Sequence, residues 1–185
     1  PKVRDATRHD EPEDRADERC RYQEDQTELH IDEQGRHHGT QGQERKAREL
    51  ADKKASDVTC LLFCDSLLEY PEKLFSYGAD HIILVKHPKL QYFNQDIFAK
   101  LLAYLIKKYL PEIVLAPATT AGRTYLPASA AMVYTGLTAD CTGLDIDSES
   151  GLLLQTRPAI GGNVMATIKT PNHVPQMSTV RPKTF

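Results

Sequence analysis

The sequence has no basic excess. Lysine and arginine number 23 against 26 aspartates and glutamates, for a formal net charge of -3. A chain that reads nucleic acid carries surplus positive charge on one face, so no nucleic-acid partner is expected. Long apolar runs are also missing. None approaches the ~20 residues needed to cross a bilayer, so no membrane span is expected. The opening PKVRDATRHDEPEDR has no apolar core and does not read as a secretory signal. Cysteine is sparse. Cys20, Cys60, Cys64 and Cys141 follow no disulfide framework, and a reducing compartment is the simpler reading. The glycine patterns of a Walker loop and of a dinucleotide fingerprint are both lacking. No nucleophile, base and orienting acid stand at recognisable spacing, so no catalytic residue is assigned.

What is present divides in two. Residues 1–43 are highly charged, with Val3, Leu29 and Ile31 as their main aliphatics. Such a segment buries too little apolar surface to offset its ordering entropy, and it reads as a disordered tail with Leu29–Asp32 a weak strand candidate. Residues 44–185 have globular texture and form one domain.

Within that domain, Glu44–Lys54 has helix composition with a polar outer face. Val58–Cys64, His81–Val85 and Ile113–Ala116 are apolar runs of strand length. Pro71 suits the first turn of a short helix, and Gly78 its C-terminal cap. Asn94 suits the N-cap of a helix ending before Pro111. Ile97, Phe98, Leu101, Leu102, Leu105, Ile106 and Tyr109 give that helix one apolar face. Strands apolar on both faces, alternating with helices, predict an α/β fold: a mostly parallel sheet with helices on both faces. After Asp140 the texture changes. Leu144–Asp147, Leu152–Thr156, Val164–Lys169 and Met177–Val180 are short strand candidates, expected as antiparallel strands added at the sheet edge.

Two segments could carry a site. Pro117–Arg123, PATTAGR, follows a strand and belongs at the carboxyl edge of the sheet, where open α/β folds bind ligands. Thr124 is expected to cap the next helix, with Pro127 in its first turn. The helix N-terminus, the Thr119 and Thr120 hydroxyls and the Arg123 cation could hold an anion. A well-made strand-to-helix turn with a surface arginine explains the same residues. In QTRPAIGGN, Arg157 precedes Pro158 in an extended segment, and Gly161-Gly162-Asn163 requires a tight turn. Arg157 either pairs with a carboxylate or phosphate or faces solvent from a hairpin. Cys60 and Cys64 share one strand face and read as buried thiols, without ligand partners at metal spacing. Cys20, His30, His37 and His38 match no zinc pattern, so no metal ligand is assigned. Cys141 lies in a loop-like stretch beside Asp140 and is not assigned as a nucleophile. Asp140, Asp145 and Asp147 form an acidic trio, and Leu144 and Ile146 alternate with the last two in the pattern of an edge strand with a wet face.

The stretches ATTAGR (Ala118–Arg123), GLTADCTGLDID (Gly136–Asp147), LLQTRPAIGGNVMATI (Leu153–Ile168) and PQMSTVRP (Pro175–Pro182) occur in order and at matching spacing. In these the chain resembles the N-terminal domain of the electron transfer flavoprotein α subunit, over roughly Lys46 to Phe185. The resemblance implies an adenine-nucleotide hydrolase-like α/β fold. It also implies one subunit of a heterodimeric FAD-containing carrier, paired with a β subunit. Such a carrier takes electrons from dehydrogenases, often acyl-CoA dehydrogenases, in the bacterial cytoplasm or the mitochondrial matrix. The redox chemistry would belong to FAD, held mainly by a second domain that would begin near Phe185. Thr119, Thr120, Gly122, Arg123 and Arg157 would then be interface or cofactor-proximal residues. The sequence departs from the pattern at Ala128, where relatives usually place an arginine, and in LHIDEQGRHH, a degraded version of the usual apolar first strand. The alternative reading is a stand-alone adenine-nucleotide-binding module.

Overall fold

Strand alternation sorts the core. Successive side chains of a strand point to opposite faces, and runs such as Val58–Cys64 and Ile113–Ala116 are buried along their length, so both faces need covering. The computed structural model describes residues 27–32, 41–65, 72–159 and 164–185. The first strand, β1 (Thr27–Asp32), precedes helix α1 (Gln41–Lys54). Strand β2 (Asp57–Cys64), the short helix α2 (Glu72–Ser76) and strand β3 (His81–Lys86) follow. Helix α3 (Gln95–Tyr109), strand β4 (Ile113–Pro117) and helix α4 (Gly122–Met132) come next. The chain ends in β5 (Leu137–Cys141), β6 (Gly143–Ile146), β7 (Leu153–Pro158), β8 (Met165–Ile168) and β9 (Gln176–Val180).

On β2, Leu61 and Phe63 join one core cluster with Val114 and Ala116 of β4 and the buried faces of α3 and α4. Val58 packs instead with Ile113, Leu115 and the α1 residues Ala47, Leu50 and Ala51. Cys60 and Leu62 meet Leu74 of α2. Thus α3 and α4 cover one face, and α1 and α2 the other. Asn94 caps α3 as expected, its side chain accepting from the amides of Asp96 (3.1 Å) and Ile97 (3.2 Å). Phe98, Leu102, Leu105 and Ile106 form the buried stripe of α3. Gly78 ends α2 at φ +106°, a conformation that glycine adopts at little steric cost.

The parallel sheet has the order β3-β2-β1-β4-β9-β5. It is flanked by helices on both faces and followed by an antiparallel sheet, as the periodicity predicts. Three details differ from the sequence reading. First, β1 lies within the segment read as tail, yet it pairs in parallel with β2 and β4 at the middle of the sheet. Composition averaged over a charged segment hides a strand whose hydrogen bonds come from its neighbours. Residues 1–26 and 33–40, Pro71 and Gly161-Gly162-Asn163 lie outside the described residues. Second, the late strands do not all extend one edge. The strands β6, β7 and β8 form their own antiparallel sheet, whereas β9 returns to the main sheet. It lies parallel between β4 and β5. Third, Cys141 ends β5 and is fully buried, not in a loop.

Every residue of β9 is buried, including Gln176, Ser178 and Thr179. Such burial is tolerable only because each polar group has a partner. The Gln176 carboxamide oxygen accepts from the Leu153 amide at 2.7 Å. The Ser178 hydroxyl donates to Gln155 Oε1 at 2.7 Å, and Gln155 is itself fully buried on β7. These bonds fasten the antiparallel sheet to the parallel one. Replacing Gln176 by Met leaves the Leu153 amide buried without an acceptor. The expected loss is about 1–3 kcal/mol in urea unfolding. An exposed control, Gln91→Met, is expected to change stability by less than about 0.5 kcal/mol.

Candidate functional site

The connections leaving β1 run to β2 and β3 on one side, and α3 then returns the chain to β4 on the other side of β1. The boundary between β1 and β4 is therefore the switch point, whose carboxyl end is the usual crevice for ligands in open α/β sheets. The turn after β4 opens there, so the PATTAGR segment lies where its sequence position predicts.

The turn is closed on itself. Thr119 supplies both acceptors for the start of α4: its hydroxyl receives the Gly122 amide (3.2 Å), and its carbonyl the Arg123 amide (3.0 Å). The amides of Thr124 and Tyr125 both donate to the Ala121 carbonyl. These bonds start the helix at Gly122, with Ala121 as its cap, three residues earlier than expected. Thr124 is thus not the cap. Its hydroxyl donates to the Thr120 carbonyl at 2.5 Å. Pro127 lies inside the helix, not in its first turn, and leaves the Arg123 carbonyl without its intrahelical donor. The amides of Gly122, Arg123 and Thr124, three of the four that a helix start leaves without an intrahelical partner, are thus engaged within the turn.

The charged side chains converge beside it. Pro117 of β4 and Cys141 of β5 both pair with Val180 of β9, so three parallel strands end together. The Asp140 carboxylate stands at the centre. Arg123 Nη2 donates to its Oδ1 at 2.9 Å. Arg181 grips it as a fork, with Nη2 on Oδ2 at 2.6 Å and Nε on Oδ1 at 3.3 Å. The hydrogen bonds from Arg181 and, through space, the Arg123, Arg181 and Arg157 cations hold the Asp140 carboxyl below the usual range, against the opposing effect of partial burial. Asp140 sits at φ +62°, beside an irregularity in the β5–β9 pairing, and its amide donates to the Thr179 hydroxyl at 2.8 Å. This left-handed backbone turns the carboxylate toward both arginines. The Thr142 amide donates to the Thr156 carbonyl at 2.8 Å and pins β7 to the end of β5, from which the Arg157 cation acts on Asp140 through space.

Of the sequence candidates, Arg123 bonds Asp140 directly, and the Arg157 cation acts on it through space. The structure spends Thr119 and Gly122 on the turn and leaves Thr120 exposed. Asp140 is not part of a shared acidic face with Asp145 and Asp147. Asp145 pairs with Lys53 of α1, and Asp147 with Lys169 and Ser150. The sequence reading missed Arg181. A usable signal was the repeated Arg-Pro pair, Arg157-Pro158 and Arg181-Pro182, each at a strand end. Neighbouring Cys141 is no nucleophile, since burial pushes its thiol up to about 11. Cys60 and Cys64 are buried in β2 and form no disulfide among the described residues.

Asn tolerates left-handed backbone, so Asp140→Asn tests the charge and not the fold. A carboxyl whose folded value is depressed stabilises the protein above its unfolded value, and that contribution disappears as pH falls through the folded value. The wild type is expected to exceed the variant by about 1 kcal/mol or less at neutral pH, because water screens half-exposed arginines. Urea unfolding from pH ~7 down to pH ~3 should show the difference shrinking below pH ~4.

Residues 45–185 match the electron transfer flavoprotein domain. The electron transfer flavoprotein subunit alpha of Thermoanaerobacterium thermosaccharolyticum is 52% identical over 137 residues, covering 74% of this chain and 41% of that protein. The subunit of the same name from Clostridium acetobutylicum is 44% identical over 140 residues, covering 76% and 42%. A subunit of the lactate dehydrogenase (NAD(+),ferredoxin) of Acetobacterium woodii is 43% identical over 140 residues, covering 76% and 33%. The chain thus spans about two fifths or less of these relatives. The motifs that converge on Asp140, ATTAGR, TADCT, QTRP and STVRP, all fall inside the matched region, and on that extent of agreement the chain belongs to the electron transfer flavoprotein family.

Proposed function

We propose that this chain is the N-terminal scaffold of an electron transfer flavoprotein α subunit. In the heterodimer it holds a β subunit on one side and a C-terminal flavin domain on the other. The single observation that best supports a scaffold role within the family is the self-closed α4 turn, which engages the amides of Gly122, Arg123 and Thr124 within itself. When bound in the intact assembly, FAD supplies the electron-carrying chemistry, passing electrons from a dehydrogenase of the acyl-CoA class or similar to a downstream acceptor. The chain's own residues position and dock, and none is assigned a catalytic role. The dehydrogenase link is supported by the name of the Acetobacterium relative. The expected setting is the bacterial cytoplasm, or the mitochondrial matrix in a eukaryote. Among the described residues no helix is long and apolar enough to cross a membrane.

A docking role is supported by β8. This outer strand of the antiparallel sheet exposes Val164, Met165 and Ile168, and Val174 follows close behind. Met165 pairs in register with Pro158, next to Arg157. An exposed apolar strand on a sheet edge is an aggregation hazard unless a partner covers it. Arg123, Arg157 and the hairpin would form an apolar patch with a basic border facing that partner.

The test is a chimera. The C-terminal part of the Thermoanaerobacterium α subunit is joined to this chain and co-expressed with the β subunit of that organism. The chimera should co-purify with β as a yellow, dithionite-reducible complex. This chain alone should be colourless. Met165→Asp should weaken the pairing at least about tenfold. A colourless chain that pairs neither alone nor as the chimera, or one that retains stoichiometric flavin unaided, would contradict the reading.

A further inference from the structure

We propose that Arg123, Arg157 and Arg181 form a receptor for a phosphate-class dianion at the carboxyl edge of the parallel sheet, with the Asp140 carboxylate as its internal occupant. The receptor is built on the folded chain itself and does not depend on pairing with another subunit.

Charge counting comes first. Arg123 and Arg181 both bond one carboxylate, and the Arg157 cation acts on it through space, so three positive charges are set against one negative. The ion pairs of Arg123 and Arg181 both end on Asp140. Their side chains keep 51% and 46% of their full exposure, so an incoming group reaches them without rearrangement of the core. Asp140 keeps 21%, low enough to be held in place and high enough to be displaced.

Donor counting comes second. Each guanidinium has five N–H donors. Arg123 commits one to Asp140, and Arg181 commits two. Arg157 offers its Nε to the Pro158 carbonyl at a long 3.4 Å. Most of the donors in the cluster thus face water. The planar carboxylate of Asp140 has already used both oxygens. A phosphate or pyrophosphate brings a second charge and further acceptor oxygens, and arginine binds such groups through paired N–H bonds.

Origin in the chain comes third. The arginines arrive from three separate elements: the start of α4, the end of β7 and the residue after β9. Holding Asp140 between them requires a left-handed backbone residue and a bond from its amide to Thr179. The recognition is by side chains alone, since the α4 amides are engaged in their own turn. That separates the arrangement from a phosphate loop and explains why no glycine motif announces it.

The unusual consequence concerns Asp140. A structural carboxylate would be needed for the site, whereas an internal occupant competes with the ligand. Isothermal titration of the chain with pyrophosphate, inorganic phosphate and ADP, at fixed low ionic strength, distinguishes the two. Pyrophosphate should bind the wild type, and more weakly as salt is raised. Asp140→Asn should bind it about five- to tenfold more tightly, because a like charge is removed from the site. Arg123→Ala and Arg181→Ala should each weaken binding about tenfold. Both arginines are exposed, so these variants decide the matter even if Asp140→Asn does not fold, which a thermal melt reports. Equal affinities for ADP and pyrophosphate identify the phosphates as the whole ligand, and a tighter ADP identifies a nucleotide. The proposal is overturned if pyrophosphate fails to bind the wild type, if a folded Asp140→Asn binds more weakly, or if the arginine variants bind unchanged.

Discussion

The last strand in the sequence lies inside the sheet that it completes. β9 pairs with β4 on one side and β5 on the other, so these two strands are neighbours only through it. Without β9, the end of β5 that presents Asp140 has no fixed relation to the end of β4 that leads to Arg123. The same strand carries Arg181 at its exit and accepts the Gln43 side chain of α1 on the Val180 carbonyl at 3.1 Å. One buried strand therefore sets the register of the sheet, attaches the antiparallel sheet through Gln155 and Gln176, and brings the charged cluster together. Fold and site rest on one set of hydrogen bonds.

Sequence periodicity reads those elements whose burial is apolar. The runs VTCLLFC and IVLAP and the striped helix Gln95–Tyr109 are buried because their own side chains leave water, and that signal is local. The strand QMSTV is different. Its Gln, Ser and Thr are buried because distant partners receive them: Leu153, Gln155 and Asp140. A window of five residues holds no trace of those partners, so the strand reads as a half-wet edge. The strand TELHID gives only a weak signal, its Leu29–Asp32 part, for a related reason. It contributes two aliphatics, Leu29 and Ile31, within a charged segment, and its place is set by β2 and β4. The switch point could be located from the strand order, but the convergence of three strand ends could not. Arg123 and Arg157 were singled out as chemistry without a counter-ion. Asp140 was passed over because the partners that hold its amide and carboxylate, Thr179 and Arg181, are about 40 residues away.

The proposed scaffold role asks this domain to position charges for an electron carrier whose chemistry lies elsewhere. Rigid strands fix charged groups within hydrogen-bond distance of one another, and an apolar hairpin edge stands beside them. Cofactor chemistry depends on orientation and local field, which a scaffold supplies from outside the cofactor's seat. The sheet gives the orientation, and the arginine cluster gives the field.

Native-state hydrogen exchange of the β9 amides tests the central role of that strand most directly. Core strands exchange only through global opening, whereas peripheral segments open locally at lower free energy. If β9 holds the sheet together, its amides should exchange with the same opening free energy as those of Val114 and Leu115 in β4. Exchange of β9 at rates tens to hundreds of times faster than β4, corresponding to an opening cheaper by about 2–3 kcal/mol, would contradict the account.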